Sequence, residues 1–505
     1  MNTSVNWKKL QNGSDIRGVA MEGIQGETVN LTNEVVKQLG KAFAHWLNRK
    51  LNKAKITVAV GMDSRLTGPS LKKAFMLGLT DVGVDVYDCG IASTPAMFMT
   101  TVDHDYSIDA GVMLTASHLP FNRNGLKFFT EEGGADKSDI TEILDLAAQH
   151  SLESIQGRGT VRELDYIFIY SNSLVRAIRS GVKDGVDKKH PLKDLRIIVD
   201  AGNGAGGFFA EKVLTELGAE ISGSQFLEPD GNFPNHVPNP EDKEAMESIC
   251  EAVKREKADL GIIFDTDVDR SAIVDKQGNP INRNELIALI SAVILDEHPG
   301  STVVTDSITS DGLTWFINDH LNGKHKRFKR GYKNVINESL RLNAVGEESW
   351  LAIETSGHAA LKENYFLDDG AYLVAKLLIK LADLRLENKD LSQLIKVLPT
   401  PVESKEFRVK INTEDFASYG QSVIQELENN LFKDWEKVPE NYEGIRVQCK
   451  SVTEHGWFLV RLSLHDPVIP INIESNVGGG VDEIASRLKK ILGSYTYLDI
   501  TPFDD

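Results

Sequence analysis

Five short apolar runs that stop abruptly in polar or glycine residues constrain this chain most. They are "ITVAVGMD" (56–63), "GVMLTASH" (111–118), "LRIIVDAGNGAGG" (195–207), "ADLGIIFD" (258–265) and "STVVTDSITS" (301–310). A strand with one wet face alternates apolar and polar residues, whereas an unbroken run means that both faces are covered. "VDVYDCG" (84–90) reads as a further strand. Helical segments lie between the runs: the residues after Gly68-Pro69, "FFAEKVLTELG" after the glycines, the charged stretch Glu244 to Lys257, and "DGLTWFINDHL". Covered strands alternating with helices are βαβ units with mainly parallel sheets. Three such units fill about the first 395 residues, and after "KVLPTPVESKEF" (396–407) the pattern changes to alternating strands such as "WFLVRLSL" (457–464). A chain of 505 residues exceeds what one core supports. The expected division is three α/β domains at 1–160, 161–298 and 299–397, then an α+β domain at 398–505.

Charge narrows the partners. A formal net charge of -18 argues against nucleic acid and anionic membranes as general partners, since both require a basic face. The three cysteines, Cys89, Cys250 and Cys449, lie far apart with no metal-type spacing, and read as buried thiols in a reducing compartment. The first residues, "MNTSVNWKKLQNGSD", lack the apolar stretch of a secretory signal, and no run approaches the ~20 apolar residues of a membrane span. A cytoplasmic protein acting on small molecules is expected.

In open α/β sheets, ligands collect at the carboxyl ends of strands. Four ends carry chemistry. Ser117 and His118 leave one core strand, followed by the lone Lys127 in the next apolar run; a G-x-S-x-G elbow is absent, so a turn serine and a nucleophile are both open. In "IIFDTDVDR" (262–270), Asp265, Asp267 and Asp269 would repel one another without a cation, and a set of hard oxygen ligands suits Mg²⁺. A calcium loop of the EF-hand type fails here because Arg270 and Lys276 stand where Gly and Glu are needed. A phosphatase that uses the first aspartate of Asp-x-Asp as nucleophile stays open, although Asp269 replaces its usual small residue. "GNGAGG" matches the dinucleotide pattern through Gly202, Gly204 and Gly207, with Glu220 as a ribose acid, but Asp200 would face the pyrophosphate; tight helix–strand packing explains it better. In "IETSGHAALKENYFLDDG" (353–370), Glu354, Ser356 and His358 alternate, which suits sugar hydroxyls and a proton transfer.

Together "TASH", the downstream "NGLK", "DTDVDR" and "ETSGH…DDG" resemble, in this order, the α-D-phosphohexomutases, the phosphomannomutase/phosphoglucomutase enzymes. Further matches are "DIRG" (15–18), "GMDSR" (61–65), "STPA" (93–96), "PDGNFPNHVPNP" (229–240) and "KRGYKNV" (329–335), so the likeness spans nearly the whole chain. It implies four domains around a central cleft and reversible isomerisation of hexose 1- and 6-phosphates through a hexose 1,6-bisphosphate, which also serves as activator. Ser117 would be the phosphoserine, and its phosphoryl oxygen with Asp265, Asp267 and Asp269 would hold Mg²⁺. Arg17, Arg270 and Lys127 would supply positive charge beside His118; Lys127 and His358 are the proton-transfer candidates. Glu354, Ser356, Tyr332, Lys333, Arg461 and Ser463 would bind substrate, in a monomer or homodimer.

The chain departs from the family pattern at several points. Leu119, Thr266 and Ile353 replace a customary Asn, Gly and Gly, and "VGEESW" (345–350) only superficially copies a sugar loop. The phosphate-clamping loop Arg-Pro-Ser-Gly-Thr-Glu-Pro is "RLSLHDP" (461–467) here, with Leu464-His465 in place of Gly-Thr. Weaker phosphate anchoring is therefore expected; Gly478, Gly479 and Gly480 read as a flexible lead-in to the last helix, with a substitute anion site as the less favoured alternative. The alternative activity is a related phosphotransferase that makes or uses a hexose bisphosphate without efficient isomerisation. A dehydrogenase or a non-catalytic sugar-phosphate sensor follows at a distance.

Overall fold

The computed structural model describes residues 5–53, 55–149, 152, 157–463 and 466–504. The chain divides into two compact units, Met1–Asn282 with Ser356–Gln393, and Arg283–Thr355 with Leu394–Asp505.

The first unit holds two sheets. In one, strand Thr57–Met62 lies parallel to Asp85–Ile91 on one side and to Ala110–Leu114 on the other. Ala110–Leu114 then pairs antiparallel with Arg123–Thr130, and that strand with Asp15–Val19. Every residue of Ala110–Leu114 is buried, as its unbroken apolar run requires. Helices Asn33–Leu51, Gly68–Asp81 and Lys137–Ala147 contribute to a core in which Phe43 stacks on Phe128 and tilts against Phe75. In the other sheet, Ile197–Asp200 runs parallel to Leu260–Phe264, which turns back antiparallel through Ser271–Asp275. The register Ile263↔Asp200 sets the acidic and glycine-rich strand ends side by side. The helix expected after the glycines is π-wound over Phe209–Leu214; Thr215 closes the wide turn by bonding the Ala210 carbonyl through its N–H at 3.2 Å and its hydroxyl at 3.1 Å. The hairpin Ala359–Leu361/Leu367–Asp368 and helix Gly370–Arg385 complete this unit. Asp369 caps the helix, accepting the Tyr372 N–H at 2.8 Å and the buried Tyr170 hydroxyl at 2.6 Å.

The second unit carries parallel strands Lys324–Arg327, Thr302–Thr305 and Ser349–Ile353. Its C-terminal part is an antiparallel sheet that includes Glu403–Ile411, Ile445–Cys449, Gly456–Val460 and Val468–Ser475. Helices Phe416–Asn429 and Gly480–Leu492 share a core with that sheet. Among the described residues, no helix is long and apolar enough to cross a membrane.

Candidate active site

Ser117 stands three residues past strand Ala110–Leu114 with a left-handed backbone, φ +49°. That conformation costs a non-glycine residue about 1–3 kcal/mol, so something must hold it. Arg65, 1% exposed, does so: its guanidinium donates to the carbonyls of Ser117, Leu119 (2.6 Å), Pro120 (2.8 Å) and Arg123 (2.9 Å). The Ser117 N–H is taken by Thr115 Oγ1 at 2.8 Å, leaving the side chain to be aimed by the next sheet.

That aim is toward the acidic loop. Ser117 Oγ donates to Asp265 Oδ2 at 2.9 Å and accepts from Arg270 Nη2 at 2.9 Å. Arg270 also donates to Asp265 Oδ2 from Nε (3.1 Å) and Nη2 (3.0 Å), and to His118 Nδ1 at 2.7 Å. A guanidinium only donates, so His118 Nδ1 is a lone pair and the ring is neutral. Although His118 as a whole is exposed, desolvation, then the Arg270 and Arg17 charges, push its imidazolium down to about 3. Arg17 reaches the Thr115 carbonyl at 3.2 Å while paired with Asp15 at 2.8 Å.

The three loop carboxylates are buried, and one oxygen from each lies within 4.8 Å of the others. Lys127, 5% exposed on the strand beside Ser117's own, pairs with Asp269 and, at 3.3 Å, with Asp267. Burial opposes its charge, but the two carboxylates outweigh it and hold the ammonium well above its usual range. Asp269 is correspondingly low despite burial, because Lys127 and His358 face it, whereas burial and the Asp269 charge push Asp265 up. Thr94 Oγ1 donates to Asp267 Oδ2 at 2.5 Å. Asp267 Oδ1 and Asp269 Oδ1 are buried without a hydrogen-bond partner among the described residues. An unpaired buried acceptor costs about 1–3 kcal/mol, more when charged. Three clustered carboxylates, two of them with such an oxygen, make an all-oxygen set that fits a hard divalent cation such as Mg²⁺.

His358 belongs to the same cluster. An isolated antiparallel bridge joins it to Arg270, and its Nε2 lies 3.6 Å from Asp269 Oδ1 while Nδ1 meets Ser356 Oγ at 2.8 Å. Burial lowers its pKa more than Asp269 raises it, so the ring is held neutral. Gly357 is required by the bend: φ is +93°, and a Cβ there would meet the Ser271 carbonyl at 2.8 Å.

In the glycine-rich turn four N–H groups are taken by the protein itself. Asp200 accepts the Gly202 N–H at 2.9 Å, and the N–H groups of Asn203, Gly204 and Ala205 go to the carbonyls of Phe226, Ala201 and Thr266. Glu220 is occupied by Arg196 at 2.9 Å. What the turn does is support the acidic loop. A Cβ on Gly204 would lie 2.7 Å from the Thr266 carbonyl oxygen and 2.8 Å from its Cα, so only glycine permits that approach.

The second unit groups the other expected residues. Glu354, 4% exposed, accepts the Gly331 N–H at 2.6 Å, next to Tyr332 and Lys333 at the start of helix Tyr332–Ala344. Arg330 gives its N–H to Glu443 at 3.1 Å, and Ser307 gives its hydroxyl to the same carboxylate at 2.5 Å. Arg461 is buried, its Nε has no hydrogen-bond partner among the described residues, and burial lowers its pKa against the pull of Glu443. Ser463 donates its N–H to the Val468 carbonyl at 3.0 Å. Leu464 and His465 lie outside the described residues. The substitute anion site at the last helix is overturned: Glu403 already accepts the N–H groups of Gly479 (2.7 Å) and Val481 (3.2 Å), so a carboxylate fills that helix terminus.

Arg65, Thr94 and Asn239 had no assigned part in the sequence reading. Each lies in a stretch that carried the resemblance, "GMDSR", "STPA" and "PNHVPNP", and that was the available signal.

Comparison with known proteins agrees with this geometry. Models of α/β/α domains I, II and III of phosphoglucomutase/phosphomannomutase match residues 8–153, 173–278 and 282–402. A phosphoglucomutase of Neisseria gonorrhoeae is 30% identical over 95% of this chain and 96% of its own length. A phosphomannomutase/phosphoglucomutase of Pseudomonas syringae pv. tomato is 31% identical over 94% of each. The crystal structure of a phosphoglucomutase/phosphomannomutase family protein from Burkholderia thailandensis matches with TM-score 0.78 and 28% identity, covering 98% of both chains. The fold is thus a four-domain one, three α/β domains with mixed parallel and antiparallel sheets and an α+β domain, the architecture of a sugar-phosphate isomerase. The chain belongs to the phosphoglucomutase/phosphomannomutase family and is a phosphohexomutase.

Proposed function

We propose that the chain interconverts hexose 1-phosphates and hexose 6-phosphates by way of a phosphoryl group carried on Ser117 Oγ, in the cytoplasm, with a hexose 1,6-bisphosphate as intermediate and activator. The observation that carries this is the meeting of a strained, externally held serine with Arg270 and with Asp265, the first carboxylate of the buried acidic cluster. Asp265, Asp267 and Asp269, joined by an oxygen of the Ser117 phosphoryl group, are the ligands assigned to Mg²⁺. Bound there, the ion neutralises charge on the phosphoryl group, the main demand of phosphoryl transfer.

The protein's own groups account for the rest. As the sugar oxygen bonds to phosphorus, the bond from phosphorus to Ser117 Oγ breaks and the serine oxygen keeps the electron pair. Arg270 Nη2 already donates to that oxygen, so the leaving charge meets a fixed cation. The sugar hydroxyl loses its proton to the neutral His358; Lys127, tied as an ammonium to Asp267 and Asp269, contributes charge. The second transfer runs the same chemistry in reverse on the other phosphate. Arg17 adds positive charge near the transferred group, and for holding the sugar and its second phosphate we assign Ser356, Tyr332, Lys333, Glu354, Arg461 and Ser463.

The test is purified protein with Mg²⁺, a panel of hexose 1-phosphates and catalytic glucose 1,6-bisphosphate, followed for 6-phosphate formation. Intact-mass analysis should also show a fraction one phosphate heavier, mapped to Ser117. Phosphate on Asp265 instead would replace this reading with the phosphatase one. Slow isomerisation with steady bisphosphate turnover would favour the phosphotransferase suggested by the altered 461–467 loop.

A further inference from the structure

His236 is 7% exposed and Asp200 is fully buried, and neither has a place in the chemistry above. The imidazole Nδ1 lies 2.9 Å from the Val237 carbonyl, and Nε2 lies 3.0 and 3.1 Å from the two oxygens of Asp200. A carbonyl only accepts, and Asp200 is already surrounded by donors from Gly202 and Gln225. Both ring nitrogens therefore donate, and the ring is an imidazolium in a buried ion pair. The Asp200 bond and charge raise its pKa against the opposing effect of burial.

The pair reaches the active site by two short routes. The Val237 carbonyl that anchors the ring also accepts the Asn239 N–H at 2.8 Å, and Asn239 Oδ1 accepts from Arg270 Nη1 at 3.1 Å. Arg270 Nη2, on the other arm of that guanidinium, holds Ser117 Oγ and His118. On the far side, Asp200 fixes the Gly202 N–H at the head of the turn in which Gly204 touches Thr266 of the acidic loop.

We propose that the His236–Asp200 ion pair is a positioning device that fixes the orientation of the Arg270 guanidinium, through Val237 and Asn239, and the backbone of the acidic loop, through the glycine turn. It rests on the functional reading only for its kinetic consequence; the mechanical coupling stands on its own.

The experiment compares wild type, His236→Gln, Asn239→Ala and the double variant by steady-state kinetics and by hydrogen exchange of the segments 229–240 and 262–271. Outer-shell partners of this kind are worth about 10–100-fold in activity. His236→Gln should lower kcat by that factor with KM changed less than about threefold, since it removes orientation and not substrate contacts. The double variant should lose no more than about twice what the worse single variant loses, because both changes break one chain of contacts. Protection should fall in 262–271 as well as in 229–240. Loss confined to 229–240, or a lower Tm with unchanged kcat in the folded variant, overturns the proposal. If His236→Gln does not fold, Asn239→Ala alone decides it, by faster exchange at 262–271 or none. If the wild type turns over no hexose phosphate, the functional reading fails, and exchange at 262–271 still decides whether the pair holds the acidic loop.

Discussion

Two buried aspartate sites sit on neighbouring parallel strands of one sheet and have been put to opposite uses. Asp200 ends Ile197–Asp200, and the Asp265–Asp269 loop follows Leu260–Phe264. Asp200 is saturated from within by Gly202, Gln225 and His236. Asp267 and Asp269 each keep one buried oxygen with no hydrogen-bond partner among the described residues. Sequence composition treats both as strand-end aspartates. Their hydrogen bonds separate them: the Asp200 carboxylate is completed by the protein, whereas Asp267 and Asp269 each hold a buried oxygen that could serve a cation.

The comparison breaks most visibly at the reacting end. Ser117→Ala should remove the phosphate-heavy species and reduce turnover to background; an active, unphosphorylated variant would detach the serine from the acidic loop's purpose. Asp267→Ala should cut Mg²⁺-dependent turnover by about 10³-fold or more, the scale of several kcal/mol of charge stabilisation. Its thermal stability without metal should fall only slightly, because the lost pairing with Lys127 and Thr94 is offset in part by less carboxylate repulsion and Lys127 keeps Asp269. Asp200→Asn should behave in the opposite way, losing about 3–5 kcal/mol in denaturant unfolding as the His236 charge is left buried and unpaired. Equal stability of the two aspartate variants would dissolve the distinction.

Smaller changes sharpen it. Gly204→Ala forces a methyl group to within 2.7 Å of the Thr266 carbonyl oxygen. Overpacking of this kind costs about 1–3 kcal/mol, and here we expect it as a roughly tenfold higher Mg²⁺ requirement. An unchanged Mg²⁺ titration would show that the turn does not support the acidic loop.

The same accounting applies to buried histidines. His236 is charged by Asp200, whereas His325 in the second unit sits between the Thr305 and Thr314 hydroxyls, both at 2.8 Å, with no carboxylate beside it. Burial, then Arg327 and Arg446, hold its pKa well below the usual value. The unfolded chain takes up that proton first as pH falls. The stabilising effect of neutral His325 is thus complete above about pH 6.5 and lost below it, by at most about 1.4 kcal/mol per pH unit. Thermal melts between pH 8 and pH 5 should fall more steeply for wild type than for His325→Gln; parallel curves would refute this.

Much of the site was legible because its residues stand in short local patterns at strand ends. "TASH" and "DTDVDR" each mark a place where a covered strand stops and polar groups must face something. Lys127 was visible as one charge in an apolar run. Arg65 and Asn239 were not assignable, because their effect lies in contacts with Ser117's carbonyl and Arg270's guanidinium, 52 and 31 residues away along the chain. "GNGAGG" matches the dinucleotide pattern in a line, but the N–H groups of Gly202, Asn203, Gly204 and Ala205 go to acceptors of the protein itself.

The sequence by itself determined the α/β character and the family, since the apolar period and the order of motifs are properties of the chain read in a line. It could also name Ser117 and the three aspartates as groups that belong together. Which buried carboxylates are complete and which keep an unpartnered oxygen was decided only by the tertiary structure. A hydrogen bond depends on distance and direction between atoms that the chain order leaves unconstrained, and two strands in register gave Asp200 a histidine and left Asp267 and Asp269 each one buried oxygen with no hydrogen-bond partner among the described residues.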